Sequence, residues 1–205
     1  MSIFSYLRPK KVANGLIGHL GLSGWWFGSI PEDERNTIRR IYQPMGGCDL
    51  DSGRIDYSDL TPLSFLTGLA RWFAKDGLRM IAYRILDQAE RYLSPAKDPV
   101  DVHFFYQSQI EIFYRDRDTD EGLNRAIQAC QNQIACSPAT AQSFKRQYRG
   151  EPLPCHKGYT QLAIILEGQK DYLATIQLCS EAKKKGWGGD WDKRIERCTK
   201  KQDKV

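Results

Sequence analysis

The sequence predicts an all-α fold in which stacked helix–turn–helix units follow a small helical N-terminal subdomain and end in a capping helix. Two observations favour this fold. From residue 61 onward, apolar residues recur at helical spacing. In addition, two distant segments share one internal spacing, because Leu66 precedes Ala82 by the same 16 residues that separate Tyr159 from Thr175. One such helix pair cannot bury its apolar face alone, so we expect the pairs to stack.

Residues 1–60 differ from the rest of the chain and are predicted to form a separate helical segment that packs on the repeats. They are rich in glycine and contain one clear helix start, with Ser29 as the cap, Pro31 near the first position and acidic residues in the first turn. This helix is expected to end near Gln43. A shorter helix within residues 11–20 is a second candidate, and residues 46–59 form a polar connector.

An aromatic cluster lies in this segment at Trp25, Trp26 and Phe27. Large aromatic side chains dominate protein cores, so one interpretation is that the cluster packs the segment onto the first helix pair. The alternative is an exposed aromatic anchor for a binding partner.

Residues 61–205 are predicted to contain three helix pairs and the capping helix. The first pair is expected to end at Pro95. The middle pair fits less well, with a first helix over about 102–114, a second that stops at Pro138, and an extra helix within the insertion 139–155. After the last pair, Asp190 is expected to cap a final helix whose inner face carries Trp191, Ile195 and Cys198.

The last pair carries the most specific pattern. Its first helix places apolar and small residues where the tetratricopeptide repeat has W-x2-L-G-x2-Y, and its second helix continues with small and medium side chains. These residues are Tyr159, Leu162, Ala163 and Leu166, then Thr175, Cys179 and Ala182. Residues 63–198 thus resemble the tetratricopeptide repeat family and are similar to its uncharacterised bacterial members. The resemblance implies a right-handed stack whose first helices line a concave, peptide-binding side.

On these first helices, side chains that point away from the packed face would line the binding groove. The candidate groove residues are Arg71, Lys75, Gln107, Glu111, Tyr114, Lys157 and Gln161. The family's clamp for a C-terminal carboxylate requires an Asn that these faces lack, so the sequence gives that clamp no support.

The net charge of +5 is concentrated in the basic tail, residues 183–205, which holds nine Lys/Arg and four Asp/Glu. Such a segment can contact a phosphate backbone or an acidic partner, and it can equally be a solvated helix end. A nucleic-acid-associated protein that uses this tail is therefore the alternative function.

No residue set indicates a reaction, a cofactor or a metal. His19, His103 and His156 are far apart, and no paired-cysteine motif is present. The six cysteines are expected to be reduced thiols, and no export signal or membrane-spanning run is found. We therefore expect a cytoplasmic, non-catalytic protein–protein interaction scaffold that binds a peptide, a helix or another protomer, without a cofactor and without a membrane.

Overall fold

The computed structural model describes residues 11–94, 96 and 98–203. Within them, ten α-helices and one short two-stranded ladder confirm the predicted all-α fold class. Three predictions concern residues outside this range, namely the helix end at Pro95, the first ten residues of the N-terminal segment and the last two of the basic tail. In the described part of the chain, no helix is both long and apolar enough to cross a bilayer.

The chain divides into two compact units between Tyr92 and Leu93. The sequence placed a boundary after residue 60 instead, which separates the N-terminal segment from the first helix pair. The structure joins them through Tyr42, whose ring meets those of Phe65 and Trp72 edge-on at centroid distances of 6.1 and 5.4 Å. The first helix pair therefore shares a core with the N-terminal segment.

The first unit contains five α-helices and a 3-10 turn at Pro44–Gly46. The α-helices are α1 (Gly15–His19), α2 (Ser23–Gly28), α3 (Glu32–Ile41), α4 (Pro62–Arg71) and α5 (Arg79–Glu90). The predicted helix over residues 31–43 is α3, but Ser29 is not its cap. Ser29 instead follows the last residue of α2, a short helix that contains Gly24 and Gly28 and was not predicted. Pro31 is the residue that directly precedes α3.

Asp51 holds the N-terminal helices together. Its carboxylate accepts a hydrogen bond from Trp26 Nε1 at 2.9 Å and from Arg39 Nη2 at 2.6 Å. Burial by itself would raise the pKa of this carboxyl group, but the hydrogen bonds from Arg39 and Trp26 hold the pKa below its usual value.

In α4 and α5 the predicted apolar face is the buried face. Thr61 and Ser64 form a reciprocal capping box at the start of α4, where Pro62 occupies an early position that needs no N–H donor. The predicted core residues of the pair are all buried, namely Leu66, Leu69, Ala70, Phe73, Ala82, Leu86 and Ala89.

The second unit contains the remaining helices and the ladder. They are α6 (Pro99–Phe113), α7 (Asp120–Gln147), β1 (Leu153–Cys155), α8 (Lys157–Gly168), α9 (Tyr172–Lys184), β2 (Trp187–Gly188) and α10 (Trp191–Gln202). Each helix packs on the next, and α6 also contacts α8. The capping helix is α10, which buries Trp191 and Cys198. The ladder is parallel and was not predicted.

One prediction for the middle pair is wrong, because α7 does not stop at Pro138. It continues to Gln147 and absorbs the extra helix expected after residue 139. Proline removes one helical hydrogen bond. Nearby side chains bond to the backbone around this break, since Thr140 Oγ1 donates to the carbonyl of Cys136 at 3.1 Å and to that of Pro99 at 3.3 Å.

Candidate functional site

The predicted groove residues fall in both units. Arg71 and Lys75 are exposed on the first unit, whereas the other five belong to the second. Of those five, Gln107 donates from Nε2 to Glu111 Oε1 at 3.1 Å on α6. Gln161 is buried, with 4% of its surface exposed, so it cannot line a groove. The reason is that α8 packs against α6, α7 and α9, which leaves little of its surface free.

Of the two interpretations of the aromatic cluster, burial favours core packing for both tryptophans. Trp25 and Trp26 are 8% and 0% exposed and belong to the core of the first unit. Phe27 is half-buried, and the guanidinium of Arg35 lies 5.4 Å from its ring centroid. An anchor must reach its partner, so burial excludes Trp25 and Trp26 from this role.

The second unit contains an apolar cavity of about 330 Å³ that the sequence did not indicate. Three segments form it: the start of α6, the end of α7, and the turn that leads into β1. The lining residues are His103, Phe104, Phe144, Tyr148, Glu151, Pro152, Leu153 and Pro154. This volume lies at the small end of the roughly 300–1,000 Å³ that is typical of ligand sites. The cavity is therefore large enough to accept an aromatic side chain.

Two aromatic residues of this cavity are exposed to solvent. Phe104 is 43% exposed and Tyr148 is 58% exposed, although both belong to residue types that proteins usually bury. Phe144 lies between them in the wall, with its ring centroid 6.5 Å from that of Phe104 and 6.3 Å from that of Tyr148. The result is an aromatic site that is open to solvent on one side.

His103 in the wall has a defined tautomer. The side-chain oxygen of Gln133 accepts from Gly158 N–H at 2.6 Å, which fixes the orientation of the amide. The amide nitrogen then donates to the His103 carbonyl at 3.0 Å and lies 3.3 Å from His103 Nε2. An amide NH₂ can only donate, so Nε2 is the acceptor and the proton of the neutral ring is on Nδ1. Among the described residues, this buried Nδ1–H has no hydrogen-bond partner.

A second buried histidine lies behind the first. His156 caps α8, where its Nδ1 accepts from Tyr159 N–H at 3.4 Å, and its ring centroid is 5.0 Å from that of His103. Trp187 of β2 stacks on His103 at 5.9 Å and meets His156 edge-on at 4.6 Å. These three rings therefore pack against one another, and His103 joins them to the cavity wall.

Both histidines are neutral at physiological pH. Burial lowers the pKa of His103 to about 4. Burial, and then the neighbouring His103, lower the pKa of His156 to about 3. An apolar surrounding disfavours the charged imidazolium, so the His103 ring in the cavity wall is neutral.

The charge at the cavity comes from the end of α7 and the residues after it. Lys145, Arg146 and Arg149 are exposed in the same segment that supplies Phe144 and Tyr148. Glu151 is the one carboxylate in the lining. The segment is therefore net basic.

The basic tail is largely engaged within the second unit. Glu167 of α8 accepts from Arg194 at 2.8 Å, from Arg197 at 2.8 Å and from Lys201 at 3.0 Å. The hydrogen bonds from Arg197 and then Lys201 lower the pKa of Glu167 to about 2. Three further cations form ion pairs, namely Lys183 with Asp192, Lys185 with Glu181 and Lys200 with Glu196. The contacts of Glu167 and the Lys183–Asp192 pair attach α10 to α8 and α9, and the nucleic-acid alternative stays a prediction.

No cluster of metal-binding side chains occurs in the part of the chain that the structure describes. The chain matches no protein-family model, and no curated protein or solved structure is significantly similar to it. The tetratricopeptide resemblance therefore stays a prediction. The signal that could have indicated the cavity is the segment YRGEPLP, residues 148–154, in which an aromatic residue and two prolines interrupt a polar insertion.

Proposed function

We propose that this protein is a non-catalytic interaction module and that the aromatic cavity of the second unit binds an apolar side chain of a partner protein or of another protomer. The observation that carries the proposal is the exposure of Phe104 and Tyr148 at the edge of a cavity whose lining is mostly apolar. Exposed aromatic residues around a pocket are typical of the anchor sites that dominate binding energy in protein interfaces.

The lining favours binding over chemistry. Its one histidine has a pKa of about 4, and its Nε2 already accepts a hydrogen bond from Gln133. General acid–base catalysis works best when the pKa of the catalytic group lies near the working pH. The remaining side chains, apart from Glu151, are aromatic or aliphatic, which suits recognition of an apolar group.

A displayed library of random peptides, selected on the whole chain, tests the proposal without assuming a partner. We expect selected peptides to share one large apolar residue and to lose binding to the Phe104→Ala and Tyr148→Ala variants by about tenfold or more, the range of interface hot spots. Leu173→Ala is the matched control, because Leu173 is 55% exposed on α9 and does not line the cavity.

Peptides that bind both cavity variants as tightly as the wild-type chain would contradict the proposal. So would a selection that enriches no peptide. Circular dichroism of each variant checks that the helices are intact, which removes misfolding as an explanation for lost binding.

A further inference from the structure

Two cations beside the aromatic cavity differ from most other cations of the second unit. Lys145 and Arg149 are exposed, and neither has an ion-pair partner among the residues that the structure describes. In contrast, most cations of the basic tail pair with carboxylates of the same unit. Lys145 and Arg149 directly follow Phe144 and Tyr148, two aromatic residues of the cavity lining. The cavity therefore lies next to positive charge that the unit itself does not neutralise.

The other charged residues near the cavity limit this positive charge to one side. Arg146 is partly engaged, because its Nη2 donates to Ser143 Oγ at 3.2 Å and its side chain lines a neighbouring hollow together with Asp98. The carboxylates belong to Glu151 in the turn after α7 and to Asp98 and Asp101 at the start of α6. An acidic ligand would therefore find its complementary charge on the α7 side of the cavity alone.

Helix stability accounts for only one of the two cations without a partner. Lys145 lies in the last turn of α7, where a positive charge is favourable beside the free carbonyl groups. Arg149 lies beyond Gln147, the last residue of the helix, so this explanation does not extend to it. Arginine and tyrosine are both enriched at protein interfaces, and the exposed Tyr148 directly precedes Arg149. The pair is therefore typical of a binding surface.

These features specify the occupant of the cavity. Phenylalanine fits best, because its ring packs favourably against other aromatic rings and it carries no polar group that needs a partner. Carboxylates beside that phenylalanine would meet Lys145 and Arg149, and complementary charge favours association. This chain does not supply such a segment. Phe104 is the one exposed phenylalanine among the described residues and belongs to the cavity itself, and Phe4, outside them, has no acidic neighbour in the sequence.

We propose that the aromatic cavity binds a phenylalanine of a different protein, within an acidic segment whose carboxylates contact Lys145 and Arg149. The inference rests on the proposed function and specifies the chemistry of the partner. Single-stranded nucleic acid matches the surface less well, because proteins that bind it use a continuous positive groove and stack successive bases. Here Glu151 and the acidic start of α6 interrupt the positive surface, and the cavity accepts one ring.

The test titrates fluorescently labelled, amidated peptides with the whole chain at low salt and follows the anisotropy. The acidic peptides GSFDEDGS and GSDEDFGS place the carboxylates on either side of one phenylalanine. A neutral peptide, GSFSNSGS, and a basic one, GSFKRKGS, are the matched controls. We expect the tighter acidic peptide to bind about tenfold more strongly than the neutral one, and to lose this advantage at high salt, because exposed ion pairs are weak and screened. The basic peptide should bind least.

Two pairs of charge substitutions separate the cations from the cavity. Lys145→Glu with Arg149→Glu should abolish the preference for acidic peptides and leave the affinity for the neutral peptide unchanged. Phe104→Ala should weaken the binding of every peptide. Lys184→Glu with Lys193→Glu makes the same change of charge at exposed sites of the basic tail and should leave the preference intact. Circular dichroism of each variant checks that the helices are intact.

The outcomes distinguish this inference from the proposed function. Acidic, neutral and basic peptides that bind equally well and depend on Phe104 would overturn the inference and leave the proposed function standing. A single-stranded oligonucleotide that binds more tightly than the acidic peptide at the same salt concentration, and displaces it, would assign the cations to nucleic acid and also overturn the inference. If no phenylalanine peptide binds and the random-peptide selection enriches none, the inference and the proposed function both fail.

Discussion

Gln133 donates its side-chain amide to two acceptors of one residue, the carbonyl oxygen of His103 at 3.0 Å and its Nε2 at 3.3 Å. Because the same side chain also accepts from Gly158, it links α6, α7 and α8 at a single buried point. This link places the Nδ1 proton of His103 and holds one wall of the cavity. The packing of the second unit and the shape of this cavity wall therefore depend on the same side chains.

We expect the free energy of unfolding to fall as the pH is lowered from about 6.5 to about 4. The folded pKa values of His103 and His156, about 4 and about 3, lie below the ordinary value of 6.5, so the unfolded chain binds protons first as the pH falls. Each group then costs up to about 1.4 kcal/mol per pH unit within this window. Urea denaturation between pH 7 and about 5.5 measures the slope, above the range in which depressed carboxyl pKa values contribute.

The matched variants are His103→Gln and His19→Gln. The first should reduce the pH dependence of the free energy of unfolding, since it removes one of the two histidines with a lowered pKa. The second should leave it unchanged, because His19 is exposed. An identical slope in all three chains would show that the buried histidines do not set the acid sensitivity.

Substituting Gly158 by alanine should destabilise the second unit by about 1–3 kcal/mol, the usual cost of overpacking. A Cβ at this position would lie 2.9 Å from the carbonyl oxygen of Cys130 and 2.9 Å from Gln133 Oε1. Neither atom can move freely. The Cys130 oxygen belongs to helix backbone, and the Gln133 oxygen belongs to the side chain that hydrogen-bonds to His103. Chemical denaturation measures the loss.

Gly168→Ala, at the other end of α8, is its control. No atom lies within 4 Å of a Cβ built there. Alanine should therefore be neutral, or stabilise by up to about 1 kcal/mol through helix propensity. If the two substitutions had equal effects, the close approach at Gly158 would not explain either of them.

Glu167→Gln should loosen α10. The carboxylate accepts from Arg194, Arg197 and Lys201, and the Arg194 side chain is 9% exposed, so removing the charge leaves a nearly buried cation poorly compensated. We expect a loss of about 1–3 kcal/mol in thermal or chemical unfolding. Glu196→Gln removes one exposed pair with Lys200 and should change stability little. Similar losses in both variants would contradict a special role for Glu167.

Alkylation of the native chain should reach Cys155 first. It is exposed, whereas burial raises the pKa of Cys130 to about 12 and that of Cys179 to about 11. The thiolate is the reactive form, so buried thiols of high pKa react slowly. Mass spectrometry after a short iodoacetamide pulse gives the order in which the cysteines are modified. Modification in denaturant should remove the difference in rate between exposed and buried cysteines. Early labelling of Cys130 or Cys179 in the native chain would contradict the described core.

For the nucleic-acid alternative, we expect no salt-sensitive binding to duplex DNA even at about 50 mM salt, where phosphate contacts are strong. Six tail cations already pair within the second unit. Deleting residues 183–205 is a poor test, because it removes the buried side chains of Trp191 and Cys198. Lys184→Glu with Lys193→Glu changes exposed charge alone. If binding occurs and this variant weakens it, the tail is a nucleic-acid surface.

The sequence by itself determined the helical content, the core of the helix pairs and the capping helix. Apolar periodicity indicates which face of a helix is buried. It correctly predicted the burial of Leu66, Ala82, Tyr159 and Cys179. It could not show that Pro138 lies inside α7, because it does not report contacts such as that of Thr140 Oγ1 with the Pro99 carbonyl of α6.

Only the tertiary structure decided where the units divide and where the aromatic cavity forms. Tyr42 joins the N-terminal segment to the first helix pair through contacts between residues distant in sequence. The cavity likewise joins His103, Phe144 and Leu153 from three segments. The periodicity of a single helix contains no information about contacts between distant segments, because these contacts depend on how the helices pack against one another.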